Sequence, residues 1–445
     1  MKKEESSYLY LVFFHVFIGV VIYAVPFTAK LYGYSIFILG CYFVIKNQNR
    51  NNEALMAAAY ITGSEVLLRM TGGNISYEFS KYGVVIFVFI GMYFSGFSKK
   101  AIPFWVFLLL LVPGVVISTF VLDFDTNIRS TIAFNISGPV CLAIASLYTY
   151  RRKIALEQVN NILLSIGLPI ISCVVYLSLY TPNIRDIVTG TGSNYAASGG
   201  FGPNQVATFL GLGMFIFFSR IILESKSKFL VMLNLIIIFN ISYRGMLTFS
   251  RGGMITGFLM IVLLLLFLYF KTNYRGKVKL NYIVVIITMS LAFIWGYTSF
   301  QTSGLINKRY QNQDAAGRVK ASQFTGREDV AKSEINMFLE NPIFGVGVAK
   351  GVEIRESKTG VFVVSHDEMT RMLAEHGTLG IFGLLVLFFT PLVLYLENSF
   401  NMFLLCFVVF WFLTINHAAM RTAVPAFVYS LSLLNVQLAK KRKEL

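Results

Sequence analysis

Three polar stretches interrupt a very apolar sequence, and each carries residues whose types and spacing could do chemistry. The first is "SHDEMTRMLAEHGTLG" (365–380), which holds two of the four histidines. Ser365 and Glu368 have the spacing of a capping box, which predicts a helix start with His366 in its first turn. The partial positive charge of a helix N-terminus disfavours an imidazolium and keeps such a ring neutral near neutral pH. A neutral, accessible imidazole is a competent general base. A histidine that makes only a local hydrogen bond at a helix start fits the same pattern equally well. His376 and His417 read as packing residues at the membrane interface, and His15, inside an apolar run, has no visible partner.

The other two stretches place arginines at helix starts. "TFSRGGMITGF" (248–258) puts Arg251 at the head of an apolar run, followed by Gly252 and Gly253. In "TGRED" (325–329), Thr325 reads as an N-cap with Glu328 three residues on, which sets Arg327 in the first turn. An arginine there opposes the helix dipole, so it is a poor choice for stability alone. It becomes sensible if an anion binds: unpaired N–H groups, close backbone approach at the glycines and a guanidinium fork together suit a phosphate. Snorkelling to lipid headgroups is the alternative reading of each. A weaker signal is "GSNYAASGGFGPNQVATFL" (192–210), where Tyr195, Phe201, Asn204 and Gln205 offer stacking and hydrogen-bonding groups of the kind sugars need. Any turn can carry such residues.

The elements that must position these residues are membrane spans. Of 445 residues, 56% are hydrophobic and only 13% charged, with a mean hydropathy of +0.66. That composition excludes an ordinary soluble chain. Apolar runs long enough to cross a bilayer as helices recur from Tyr8 to Gln437. We read about fourteen, near 8–26, 31–45, 54–70, 83–97, 101–122, 132–149, 159–180, 204–223, 229–247, 252–270, 281–299, 377–397, 400–415 and 422–438. Glu65 and Arg69, one turn apart inside a run, read as a mutually satisfied pair. The four cysteines all fall inside runs and form no CxxC pattern, so packing is their expected role.

The net charge of +16 does not point to nucleic acid. With a cytoplasmic N-terminus, the basic clusters (Lys99–Lys100, Arg151–Lys153, Lys226–Lys228, Lys440–Lys443) fall on the inside, and the short outside loops carry few. Both termini are then inside. The long polar segment from Phe300 to His376 lies outside, with equal numbers of acidic and basic residues. Within it Ala331, Ile335, Phe338 and Leu339 read as one apolar helix stripe, ended by Asn341–Pro342. "NPIFGVG" (341–347) reads as a glycine-spaced turn whose backbone lies close against something. Met369, Met372, Leu373 and Leu379 give the following helix an apolar face, which is expected to dock on the membrane surface before the chain re-enters at Gly377–Gly380. Two arginine-bearing helix starts and one histidine-bearing start on the outside suit an anionic, lipid-linked substrate.

"FGPNQVATFL", "SRGG", "GREDVAKSEINMFLENPIFGVG" and "SHDEMTRMLAEHGTLG" together resemble, in order and topology, the O-antigen ligase/polymerase superfamily. The resemblance is strongest over residues 200–385 and centres on a histidine, a polar residue, nine further residues and GxxG: His366, Asp367, Gly377 and Gly380. Ligases of that family usually have Asn, Ser or Gln at the position of Asp367, and often Thr at that of Gly383.

The resemblance implies an all-α polytopic fold of GT-C-like architecture with about 14 transmembrane helices and one large periplasmic loop. The expected organisation is N-terminal spans (1–190), core spans (191–299), an extracytoplasmic catalytic loop (300–376) and C-terminal spans (377–445). It further implies an inverting, metal-independent glycosyltransferase of the bacterial cytoplasmic (inner) membrane, without a cofactor, acting on its outer face. The donor would be a glycan on undecaprenyl diphosphate. The acceptor would be a second lipid-linked glycan for a polymerase, lipid A-core for a ligase, or a protein hydroxyl; a chain-length regulator is a candidate partner. By position, Arg251 and Arg327 would hold the diphosphate and His366 would be the base, with Asn204, Gln205, Gly252 and Gly253 as weaker substrate contacts. The absence of a large C-terminal domain and the form of the histidine motif favour the polymerase. A transporter of the same lipid-linked glycan is the rival from another class, but it would place charges at the bilayer midplane rather than at span ends.

Overall fold

The computed structural model describes residues 3–320, 327–360, 362–398 and 401–437. Helices dominate in the order α1 (Lys3–Ala24), α2 (Thr28–Lys46), α3 (Glu53–Thr71), α4 (Phe79–Ser95), α5 (Ile102–Val121), α6 (Ile128–Thr149) and α7 (Leu156–Tyr180). After the one-turn α8 (Ile184–Ile187) come α9 (Pro203–Leu223), α10 (Lys228–Leu247), α11 (Arg251–Lys271), α12 (Tyr274–Gln301) and α13 (Leu305–Tyr310). The chain continues with α14 (Arg327–Glu340), α15 (Lys350–Thr359), α16 (Glu368–Glu397), α17 (Leu404–Ile415) and α18 (Ala423–Leu431). The described strands, β1 (Lys153–Ala155) and β2 (Asn435–Gln437), pair in parallel.

Among the described residues ten helices are long and apolar enough to cross a membrane, and α4 and α17 are shorter apolar helices. Two of the fourteen expected runs are not among these twelve helices. The run 54–70 is helical (α3) but carries Glu65 and Arg69, and it is not among the ten. The run 422–438, over its described residues 422–437, is a nine-residue helix followed by β2, and every residue of α18 is buried. A helix that is apolar all round and enclosed by protein is core, and composition alone cannot tell it from a span.

The chain packs as two compact units. One comprises Met1–Tyr42, Ala59–Tyr77 and Glu157–Ala321, and the other Phe43–Ala58, Glu78–Leu156 and Ser322–Leu445. In the first, α9 and α11 touch backbone to backbone: a Cβ on Gly253 would lie 2.2 Å from the Ala207 carbonyl carbon, and one on Gly257 2.3 Å from the Gly211 oxygen. Small residues four apart allow this approach, and close packing drives helix association where no water is displaced. In the same unit Glu65 and Arg69 form the expected pair at 2.8 Å. His15 is not alone there: its Nε2 lies 2.9 Å from the Tyr60 hydroxyl, supplied by a helix distant in sequence.

In the second unit α16 is two helical segments that meet at Gly377, whose backbone is not helical (φ 61°, ψ −141°), so the chain bends at the expected re-entry point. The "NPIFGVG" turn lies in that kink. The Val346 N–H donates to the Ala374 carbonyl at 2.8 Å, and the Thr378 N–H donates to the Pro342 carbonyl at 2.7 Å. A carbonyl and an N–H freed by the bend thus find partners, as a buried break in a helix requires. Arg371, inside this helix, forms ion pairs with Glu368 and Glu375, and its Nη1 donates to Asn135 Oδ1 at 2.9 Å.

Candidate functional site

The sequence-read residues fall into two groups, one in each unit. In the second unit Arg327, His366 and Asp367 line one cavity of about 640 Å³, together with Glu328, Glu334 and His417 among others. Thr325, the expected cap of the arginine helix, lies outside the described residues; Arg327 is the first residue of α14 that is described.

The helix carrying His366 starts two residues later than the capping box implied. Asp367 is the N-cap of α16, its carboxylate accepting the Met369 N–H at 2.8 Å, so His366 immediately precedes the helix rather than occupying its first turn. Ser365 instead accepts the Asp367 N–H at 3.3 Å, and Glu368 turns away to Arg371 and to the Met420 N–H. Aspartate and serine cap about equally well, and here the Ser365 hydroxyl is taken by Glu334 instead.

The surroundings of His366 also favour a neutral imidazole, but for a different reason. The His366 pKa is pushed down to about 4, first by burial and then by the positive charges of Arg327 and Arg421. His366 is exposed and lines the cavity, so it is accessible, while the surrounding walls exclude enough water to penalise its charged form. Burial likewise pushes the Asp367 carboxyl up, against the backbone N–H groups of Met369 and Thr370 that favour its charge. Burial lowers the Arg327 pKa, and the Asp367 charge opposes that shift. Glu368, paired and fully buried, is not available as a base.

The α14 stripe differs from its sequence reading. Ile335 and Leu339 are 42% and 67% exposed, while Glu334 and Met337 are the buried residues of this helix. The inward face is polar because Glu334 has partners waiting: the Thr370 hydroxyl donates to it at 2.6 Å, the Ser365 hydroxyl at 3.1 Å and Arg355 at 3.1 Å. Apolar periodicity cannot reveal a buried carboxylate whose partners lie 21 to 36 residues away. Glu334 was missed in sequence for that reason; Arg421, which donates to the Ser365 carbonyl, was missed as well, and His417, read as a packing residue, lines the cavity.

Arg251, Gly252, Gly253, Asn204 and Gln205 belong to the first unit. Arg251 is the first residue of α11, behind Ser250 as N-cap. Asn204 accepts the Ser250 hydroxyl at 2.8 Å, which ties the start of α9 to the turn before Arg251. Gln205 folds back over Gly202, its Oε1 occupying the space a Cβ would fill. Gly253 faces Ala207–Thr208, so its lack of a side chain serves helix packing. The turn itself rests on a small apolar core of Ile184, Val188, Ala197, Met246, Leu247, Phe249, Ile294 and Ile306.

Arg309, also missed in sequence, donates from Nε to the Phe249 carbonyl at 2.9 Å, two residues before Arg251. The charges of Arg251 and Arg309 oppose the upward push of burial on the Tyr310 phenol. Burial lowers the Lys320 pKa, and both arginines lower it further. The start of α11 is therefore an electropositive place.

Among the described residues no group of three His, Cys, Asp or Glu side chains could hold a metal ion. Residues 235–388 match the family model described as O-Antigen ligase, which bears out the resemblance to the O-antigen ligase/polymerase superfamily. The matched segment is a little over a third of the chain and includes Arg251, Arg327 and His366 but not Asn204 or Gln205. No curated protein matches the chain. The match supports an O-antigen ligase/polymerase-type function in surface-polysaccharide assembly, and with it lipid-linked glycan and acceptor substrates in a membrane.

Proposed function

We propose that this chain is a membrane-embedded inverting glycosyltransferase that takes glycan from an undecaprenyl-diphosphate donor and joins it to a second lipid-linked repeat unit. The observation that carries the reading is the neutral, accessible His366 ring opening on the same cavity as the Arg327 guanidinium. In this reaction an acceptor hydroxyl attacks the anomeric carbon, a new C–O bond forms, and the bond from that carbon to the diphosphate oxygen breaks. His366 takes the hydroxyl proton. The diphosphate leaves with the electron pair, and arginines rather than a metal stabilise its charge. Arg327 is the diphosphate ligand proposed at this cavity, and Arg251, in the other unit, is proposed as a diphosphate ligand on the resemblance alone; both are proposed to act on the outer face of the cytoplasmic membrane.

A base held near pKa 4 is weak in the empty enzyme. Part of that depression comes from Arg327 and Arg421, and a bound diphosphate would offset both charges. His366 would then strengthen as a base only when the donor is in place, which couples proton removal to donor binding.

The lean towards a polymerase rests on Asp367 and Gly383, the two departures from the ligase form of the histidine motif. Gly383 packs beside the Phe107 ring of α5. A deletion strain tests the acceptor. Loss of a polymerase leaves single repeat units on the surface anchor, whereas loss of a ligase leaves the anchor bare and long glycan stranded on undecaprenyl diphosphate. Stranded long chains would move the assignment to the ligase.

A further inference from the structure

His366 lies in a segment, residues 362–367, that has no helix or strand of its own. A catalytic group on such a segment needs something rigid to fix it, because an unsupported loop samples many backbone states. The support here is a buried ion pair. Glu334 of α14 is 2% exposed and Arg355 of α15 is 6% exposed, and they meet at 3.1 Å. Arg355 Nη2 also donates to the Val363 carbonyl at 3.1 Å, three residues before His366. Glu334 Oε2 accepts the Ser365 hydroxyl at 3.1 Å, one residue before it, and the Thr370 hydroxyl at 2.6 Å, four residues after it. Arg421 Nη2 adds a bond to the Ser365 carbonyl at 2.9 Å.

We infer that Glu334 and Arg355 are positioning residues for His366, a charged clamp that grips its segment on both sides and holds the ring at the cavity. The inference takes His366 as the base, as the proposed function does. Two further features agree with it. Glu334 itself lines the cavity, so the clamp is part of the wall that His366 opens through. Arg327 and Glu334 are seven residues apart on α14, two turns on one face and about 10 Å along the axis. One rigid helix therefore sets both the proposed anion ligand and the grip on the proposed base. Apolar residues of similar shape would fill the same space without burying charge, but they could not hold two hydroxyls and a carbonyl at fixed points.

The test uses full-length protein in lipid nanodiscs. Breaking the ion pair risks unfolding, so the first variant is Ser365→Ala/Thr370→Val, which removes the two hydroxyls and leaves the pair intact; Glu334→Gln and Arg355→Met follow. Two readouts are taken on each: titration of the His366 ring by carbon-13 NMR, and kcat and KM for glycan transfer from a purified undecaprenyl-diphosphate-linked repeat unit. Release of the segment should raise the His366 proton affinity about tenfold, towards its ordinary range. It should also lower kcat on the order of 10²-fold, the scale of a misplaced catalytic group, with donor KM changed by less than about twofold because Arg327 is untouched. Thr370→Ser should behave like the unmodified chain. A folded double variant with unchanged His366 titration and unchanged kcat would overturn the inference. If the unmodified protein transfers no glycan but the His366 titration still moves in the variants, the clamp stands and the proposed reaction falls.

Discussion

The Asp367 carboxylate accepts the Met369 N–H at 2.8 Å and so decides where α16 begins and where His366 stands relative to it. Asparagine caps a helix about as well as aspartate does. Asp367→Asn should therefore keep the protein folded, with a thermal midpoint close to the original. Asp367→Ala should lose about 0.5–2 kcal/mol, the usual cost of deleting a cap. Thermal unfolding of the two variants in one detergent is the check, and equal midpoints would refute the cap's role.

The pH dependence of transfer follows from His366. Its folded pKa of about 4 lies below the ordinary histidine value, so the ring stays neutral in the free enzyme until the pH falls to about 4. The acid limb of kcat/KM, which reports the free enzyme, should lie near that pH; the limb of kcat, which reports the donor complex, should lie higher. Arg327→Ala removes a positive charge that depresses the ring, so its kcat/KM limb should move to higher pH. The same shift makes acid unfavourable for folding. Between the unfolded value near 6.5 and the folded value, the unfolded chain binds more protons, so this group's contribution to stability is lost as the pH falls through that window. A limb that does not move in Arg327→Ala would separate the two residues.

The arginines and the histidine should fail differently. Arg251→Ala and Arg327→Ala are expected to raise donor KM or Kd by roughly ten- to a hundredfold, the scale of about 1.5–3 kcal/mol for a charge-assisted hydrogen bond. Lysine at either position should restore only part of this, since a point charge cannot reproduce a bidentate fork. His366→Ala should lower kcat with little change in donor affinity. Donor binding and single-turnover transfer, measured separately, distinguish the two patterns. Near-normal turnover in folded His366→Ala would remove it as the base and turn attention to Asp367, which lines the same cavity.

Much of this arrangement is legible in the sequence where the signal is local. Apolar runs give the helices, the Glu65–Arg69 spacing gives an intrahelical pair, and the glycines of "NPIFGVG" announce a close approach that the Gly377 kink then fills. The illegible parts are those decided at a distance. Ser365–Glu368 looks like a capping box, yet Glu368 is claimed by Arg371, and Asp367 takes the cap. Ile335 and Leu339 look like a core stripe, yet the inward face of α14 belongs to Glu334 because Ser365, Thr370 and Arg355 lie opposite. His15 looks isolated until Tyr60 is brought to it. Polar partners separated by tens of residues leave no periodicity to read.

The kink at Gly377 ties the histidine motif to its GxxG end, and glycine is required there on two counts. Its φ of 61° lies in the left-handed region, where an L side chain costs about 1–2 kcal/mol. A Cβ would also come within 2.6 Å of the Ile343 carbonyl oxygen, and that backbone cannot yield because the Pro342 carbonyl accepts the Thr378 N–H at 2.7 Å. Gly345 is the mirror case, with φ 72° and a Cβ 2.5 Å from the Ala374 carbonyl oxygen. Gly377→Ala and Gly345→Ala should each lower the thermal midpoint sharply or prevent accumulation in the membrane. Gly383→Ala, whose Cβ would meet only the edge of the Phe107 ring at 3.2 Å, should be tolerated because a ring can shift by a few tenths of an ångström. Comparing the three by yield, thermal midpoint and transfer rate separates a requirement for the bend from a general sensitivity of α16. If Gly377→Ala matched Gly383→Ala in all three measures, the bend would not be what sets the His366 end of the helix.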